Sequence, residues 1–276
     1  MTELHAGDVA YLGIGSDINS THLRGAAEAP AKVREVLHNG ASGLTAETGA
    51  PVIDDPRFRD LGDNAIGDSA EEFLGIEKLV TPIVNAGARP LIVGGDHAIT
   101  YPILRAVAQH HGPLNVLHFD AHSDLYDEFE GNRLSHACPF ARIMEEGLAK
   151  RLVQVGIRSV NAHLLAQTER FAVEVHPMNA FRAERVPLHF DGPTYLTFDL
   201  DALDPAFAPG VSHHEPGGLS VRQCLYIIQN LRATLVGADI VEFNPRRDLH
   251  DMTAMVAAKL VREIGARLLT PNKKAR

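Results

Sequence analysis

The chain has 276 residues, 45% of them apolar and 22% charged, the balance of a globular protein long enough to bury its own core, which excludes a disordered chain. A formal charge of −9, spread along the sequence, opposes binding to a phosphate backbone, and no apolar run approaches the ~20 residues that span a bilayer, so neither nucleic acid nor membrane is an expected partner. Only Cys138 and Cys224 are present, far apart, and the start as far as Asp8 carries acids without Lys or Arg, so disulfides, thiolate zinc and a targeting peptide are not expected and the cytoplasm is.

In chain order, the aliphatic run Val9 to Ile14 reads as a strand, and Ala41 to Asp68, rich in Gly, Asp and Pro, as a long surface excursion. Helical spacing covers Ser69 to Ala86, followed by a strand at Pro90 to Val93, a helix at Tyr101 to His110 and a strand at Leu114 to Phe119. Strands are predicted again at Leu152 to Ile157, Thr194 to Leu200 and Leu235 to Val241, with helices at Val221 to Leu231 and Met252 to Leu268. Strands apolar enough to be buried on both faces, alternating with helices, predict an α/β fold: a three-layer αβα sandwich around a mainly parallel sheet. No repeat or linker interrupts it, so residues 1–276 are expected to form a single domain. His110-His111 and His213-His214 stand among turn residues and are read as exposed.

The unusual acids and histidines fall directly after predicted strands, where open α/β sheets bind their ligands. Pro90 to Val93 runs into Gly94-Gly95-Asp96-His97, in which two glycines permit a tight turn; alone, this reads more readily as a turn with an exposed histidine than as a metal ligand. In His118-Phe119-Asp120-Ala121-His122-Ser123-Asp124, the alternation of Asp120, His122 and Asp124 would turn all three to one side of an extended backbone. A solvated strand end is the bland account. Against it, carboxylates ending a buried strand are costly without a cation to neutralise them. His118 lies deeper in the strand and reads as a packing or supporting residue. Asp199 and Asp201 alternate in the same way after the strand from Thr194, while Asp204, before Pro205, reads as a turn residue. Four carboxylates and two imidazoles without thiolate suit Mn2+ better than a structural Zn2+, and that much negative charge implies two ions.

With these residues identified, the chain resembles the ureohydrolase family of arginases and agmatinases. Gly94 to His97, Asp120 to Asp124 and Phe198 to Pro205 match its three signatures, and the stretches Phe129 to Ala137, Ala208 to Ser220 and Val241 to Pro245 are most similar to plant-type arginases. The resemblance implies two Mn2+ per subunit, one held by His97, Asp120, Asp124 and Asp199 and the other by Asp120, His122, Asp199 and Asp201. It implies that a bridging hydroxide, oriented by Asp124, attacks a guanidinium carbon, that Glu242 pairs with the guanidinium, and that His136 passes a proton to the leaving amine. Urea and an amine are the products.

Asn132, before His136, resembles an arginase element near the amino-acid end of the substrate and favours L-arginine, with Ser135 and Asn161 as companion substrate-binding positions. Animal arginases carry aspartates where this chain has Ser159 and Asn161, and plant-type relatives share the Ser and Asn, so agmatine or another guanidino acid is the alternative small-molecule substrate. A single-zinc deacetylase would need fewer carboxylates, and a non-catalytic homologue would show a broken ligand set. Glu215 is given no role. A homo-oligomer, trimer or hexamer, is implied by resemblance alone.

Overall fold

A computed structural model describes residues 3–270, so the domain expected over 1–276 begins and ends outside them, and Met1 and Thr2 of the acidic start are not among them. Eight strands pair in parallel in one sheet: β1 (Val9–Gly15), β2 (Phe58–Ala65), β3 (Arg89–Gly94), β4 (Leu114–Phe119), β5 (Ala149–Val155), β6 (Glu174–His176), β7 (His189–Asp199) and β8 (Arg232–Val241). Their order is β2-β1-β3-β8-β7-β4-β5-β6. The helices are α1 (Ala29–His38), α2 (Ala70–Leu74), α3 (Ile76–Asn85), α4 (Thr100–His111), α5 (Pro139–Glu145), α6 (Ala162–Arg170), α7 (Val221–Asn230) and α8 (Met252–Leu269).

Alternation along the strands creates the three layers. Val9, Leu91, Leu117, Leu196 and Ala238 turn to one face, where they pack in a core with α1, α7 and α8. Ala10, Ile92, Val116, Tyr195 and Val236 turn to the other, against α3, α4, α5 and α6. With both faces covered, the inner strands have no polar side to show, which is why their sequences are runs rather than alternations.

The expected strands and helices all form, with shifted ends. The helix expected over Ser69 to Ala86 is divided at Gly75, between α2 and α3. Ala41 to Asp68 is not a surface excursion throughout. Its second half is β2, an edge strand whose residues stay partly exposed, so it carries Arg, Asp and Asn instead of an aliphatic run. The helices α1, α5 and α6 and the short edge strand β6 were not anticipated.

Candidate active site

The central strands β3, β8, β7 and β4 carry the site at their carboxyl ends. After β3, the chain passes through Gly94 and Gly95 to His97. Neither glycine is left-handed; they are needed for close approach, since a Cβ on Gly95 would lie 1.6 Å from Ser16 O and one on Gly94 2.0 Å from Ile99 Cδ1. Asp96 is fully buried and binds no site group. Its Oδ2 accepts from Asn19 N (3.0 Å) and Ser20 Oγ (3.3 Å), fastening the loop after β1 over the strand ends.

The residues after β4 and β7 converge, although not along extended backbone as their alternation suggested. β4 stops at Phe119, and Asp124 has a left-handed φ of +51° that turns its carboxylate back toward His97. After β7, Asp199 Oδ1 accepts from Asp201 N at 2.7 Å, opening a 3₁₀ turn over Leu200–Ala202 that swings Asp201 under Ala121 and His122. Arg158 clamps this turn by donating to Asp201 O (2.7 Å) and to Glu215 O. Asp204 ties the next loop, accepting from Ala206, Gly217 and Gly218 backbone N–H groups.

At the centre, His97 Nδ1 lies 3.0 Å from Asp120 Oδ2, 3.2 Å from Asp124 Oδ2 and 3.2 Å from Asp199 Oδ2. A single N–H points in one direction, and this buried nitrogen makes no well-formed hydrogen bond. Three oxygens around one nitrogen are instead the arrangement of donors about a common cation. A second group adjoins it: His122 Nδ1 is 3.0 Å from Asp201 Oδ2 and 3.4 Å from Asp120 Oδ1. Asp120 thus turns one oxygen to each group. His118 supports Asp120 from beneath, with Nε2 2.8 Å from Asp120 Oδ2 and Gln154 Nε2 3.0 Å from Nδ1, its ring stacked on Phe140.

The electrostatics agree with a cation site. Burial, then Asp201 and Asp120, pushes Asp199 well above the ordinary carboxylate range, and burial with Asp120 raises Asp124. Burial opposes charge on Asp120 also, but the surrounding His118, His122 and His97 hold it well below that range. So many acids cannot all stay charged unless positive charge joins them. The all-oxygen and nitrogen donor set, free of thiolate, fits a pair of hard to borderline divalent ions.

Beside this centre is a small cavity of about 170 Å³ lined by His122, Asp124, Asp199, Asp201, His136 and Glu242, with Thr21, Tyr126, Phe129, Ser159 and His213 around its outer part. Glu242, after β8, has a left-handed φ of +64° and is 3% exposed; its Oε1 accepts from His97 N (2.9 Å) and pairs with His136 Nδ1 (2.8 Å). His136 Nε2 meets Thr21 Oγ1 at 2.8 Å. Burial lowers the His136 pKa, but Glu242 more than offsets this and raises it to about 9; burial likewise raises Glu242, which His136 brings below its ordinary value.

Not every substrate position expected from sequence lines the cavity. Asn161 caps α6, accepting from Leu164 N (2.9 Å), and its Nδ2 donates to the hydroxyl of the lining residue Tyr126 (2.6 Å). Asn132 donates to Asn19 Oδ1 (3.1 Å) and accepts from Leu134 N (2.8 Å), and Ser135 is buried against Ala137 N. None of the three lines the cavity: Asn132 and Asn161 are exposed, and Ser135 is buried. Thr21 and His213, which sequence reasoning did not single out for the site, are in it. His213 is half-buried, not exposed, with its ring 5.2 Å from that of His136 and 5.9 Å from that of His122. Its loop is folded inward because Ser212 and Asn244 both bond to Leu23 O. Nothing local in the sequence signals that.

Comparison with known proteins gives a match of residues 7–266 to the model of the Arginase family. A protein named "Arginase 1, mitochondrial" from Arabidopsis thaliana is 47% identical over 276 aligned residues, covering 94% of this chain and 80% of that protein. A second from the same plant, "Arginase 2, chloroplastic/mitochondrial", is 46% identical with the same coverage. Among solved structures, the arginase from Medicago truncatula superposes with a TM-score of 0.90 at 43% identity, over 95% of this chain and 88% of that one. The expectation of a cytoplasmic location does not stand: the Arabidopsis relatives bear organellar names.

Proposed function

The chain belongs to the arginase family, and from that premise we propose a dinuclear manganese hydrolase that cleaves the guanidino group of L-arginine to urea and L-ornithine. The observation that carries this reading is the convergence of three carboxylate oxygens on His97 Nδ1, with Asp120 shared between that group and the His122–Asp201 pair. His97, Asp120, Asp124 and Asp199 would hold one Mn2+, and Asp120, His122, Asp199 and Asp201 the other. When bound, the ion pair supplies a polarised water whose pKa falls far enough for hydroxide to be available near neutral pH.

The remaining work belongs to the protein's own groups. Glu242 places a carboxylate in the cavity wall, where it attracts the cationic guanidinium and keeps the adjacent His136 charged. Asp124 lies at the junction of cavity and centre, where its carboxylate accepts a hydrogen bond from the attacking water and orients it. The Glu242 carboxylate favours the protonated form of His136, the form that delivers a proton to the departing amine nitrogen. Both protons of water end on the leaving nitrogen, one by way of His136, which regains the proton it gives, and one released as the hydroxyl becomes the urea carbonyl, so water plus guanidinium gives urea plus an ammonium and the charge balances. A cavity of this size takes a small substrate.

Asn132, Ser135 and Asn161 act on the substrate end indirectly, Asn161 by fixing the Tyr126 hydroxyl and Asn132 by fixing the loop that carries Asn19. Residues 1–276 are read as one domain, because a single sheet draws strands from Val9 to Val241. Family membership supports a trimer or hexamer, and sedimentation of the manganese-loaded protein tells these from a monomer. The deciding experiment is urea release by the manganese-loaded enzyme from L-arginine, agmatine, 4-guanidinobutyrate and guanidine, with ornithine assayed as co-product. Preference for arginine supports the reading; preference for agmatine moves the substrate; no urea from any of them overturns it.

A further inference from the structure

The face of His97 turned away from the carboxylates contains a second, fully buried polar chain. Its Nε2 lies 2.9 Å from Thr197 Oγ1, and Thr197 Oγ1 donates to Asp239 Oδ1 at 2.5 Å. Asp239 Oδ2 accepts two further hydroxyls, from Thr100 (3.0 Å) and Tyr195 (3.0 Å). All of these side chains are buried, with no solvent to take either end of a bond. Residues Thr197 and Asp239 face one another across the β7–β8 register, so the sheet itself sets their separation.

The protons of this chain can be counted. A hydroxyl has one proton, and that of Thr197 is committed to Asp239. Thr197 Oγ1 is therefore an acceptor toward His97, and Nε2 must carry the hydrogen. In a neutral ring the lone pair then belongs to Nδ1, the nitrogen surrounded by Asp120, Asp124 and Asp199. We propose that Thr197 and Asp239 are positioning residues that lock His97 in the Nε2–H tautomer and so present Nδ1 to one manganese ion. This rests on the reading of His97 as a ligand. The same sheet register that places the ligands thus also selects which imidazole nitrogen faces them. Replacement by Asn at Asp239 leaves one amide oxygen for three hydroxyls; with its N–H toward Thr197, the hydroxyl reverses, donates to Nε2 and moves the ring proton to Nδ1.

The test is Mn2+ binding by equilibrium dialysis, with electron paramagnetic resonance to count free and coupled ions, in Thr197→Val, Thr197→Ala, Thr197→Ser, Asp239→Asn and His97→Ala. Unfolding of each metal-free protein is followed alongside. Thr197→Val is expected to weaken one of the two ions by about 10- to 100-fold, the usual cost of losing a group that orients a ligand. Thr197→Ser, which keeps the hydroxyl, should restore binding, and a structural role for the methyl group alone would not produce that rescue. Wild-type affinity for both ions in Thr197→Val, or equal loss in Thr197→Ser, overturns the proposal. Should Thr197→Val not fold, Thr197→Ala, which also lacks the hydroxyl, decides by the same reading: retained affinity for both ions overturns it. Undiminished binding of two ions by His97→Ala would instead remove the ligand assignment on which the proposal stands.

Discussion

Replacing Glu242 by Gln keeps the shape of the cavity wall and removes the charge that faces His136 at 2.8 Å. In the native protein that charge outweighs burial and lifts His136 from 6.5 to about 9. At about 1.4 kcal/mol per tenfold change, the rise represents roughly 3 kcal/mol of preference for the charged ring. It is an upper value, and because the same attraction lowers Glu242 it is counted once. The sign follows from linkage: a raised pKa contributes stability that is complete below pH 6.5 and is lost as pH climbs through about 9. In Glu242→Gln, burial is no longer overcome, and His136 should titrate well below 9, toward or under its ordinary 6.5. The assay is an NMR titration of His136 in manganese-free wild type and variant, paired with denaturant unfolding at pH 6 and pH 10. The stability gap between the two proteins should be widest at the lower pH and narrow by up to roughly 3 kcal/mol at the higher. A midpoint that stays near 9 in the Gln variant refutes the assignment of the shift to Glu242.

Asp199→Ala removes a carboxylate from the centre, and both manganese retention, measured by metal analysis after dialysis, and urea release should fall to background; full activity with two ions bound would contradict its place there. His136→Ala should slow turnover by about 10²- to 10⁴-fold, the range for a lost general acid, while metal analysis still finds two ions. Asn161→Ala removes the α6 cap at a cost of about 1 kcal/mol in denaturant unfolding and releases the Tyr126 hydroxyl, so KM for arginine should rise with little change in kcat. Phe198→Ala deletes a fully buried ring stacked on Phe119 at 4.9 Å and should lower the unfolding free energy by about 3–5 kcal/mol.

The inner strands were legible because a strand buried on both faces is apolar at most positions: Leu91-Ile92-Val93 is an unbroken aliphatic run, and Leu196 to Phe198 is interrupted only by the buried Thr197. β2 was not, since an edge strand keeps partial exposure and spells Phe-Arg-Asp-Leu-Gly-Asp-Asn-Ala. The meeting of His97, Asp120, His122, Asp124, Asp199 and Asp201 was readable from their place after central strands. The backbone that brings them together was not: alternation implied an extended chain, whereas Asp124 is left-handed and Asp201 lies in a 3₁₀ turn. Thr21 and His213 reach the cavity through bonds between distant loops, Thr21 to His136 and Ser212 to Leu23, which no local spacing announces. Asn132 and Asn161 were noticed for their positions, yet each spends its amide on protein partners.

The position of β8 has a consequence for how the protein is made. The last strand of the chain is inserted between β3 and β7, so β2-β1-β3 and β7-β4-β5-β6 have no hydrogen-bonded edge in common without it. A nascent chain that has not yet released residues 232–241 from the ribosome holds two half-sheets with open edges, and the side chains from β3 stand apart from those of β4 and β7. The centre is therefore incomplete until the final strand joins the halves and brings His97 to the carboxylates that β4 and β7 carry. Pairings of such long sequence separation are slow to form. A chain that stops before β8 would still carry Asp120, His122, Asp199 and Asp201 together on the paired β4 and β7, but not the group that needs His97.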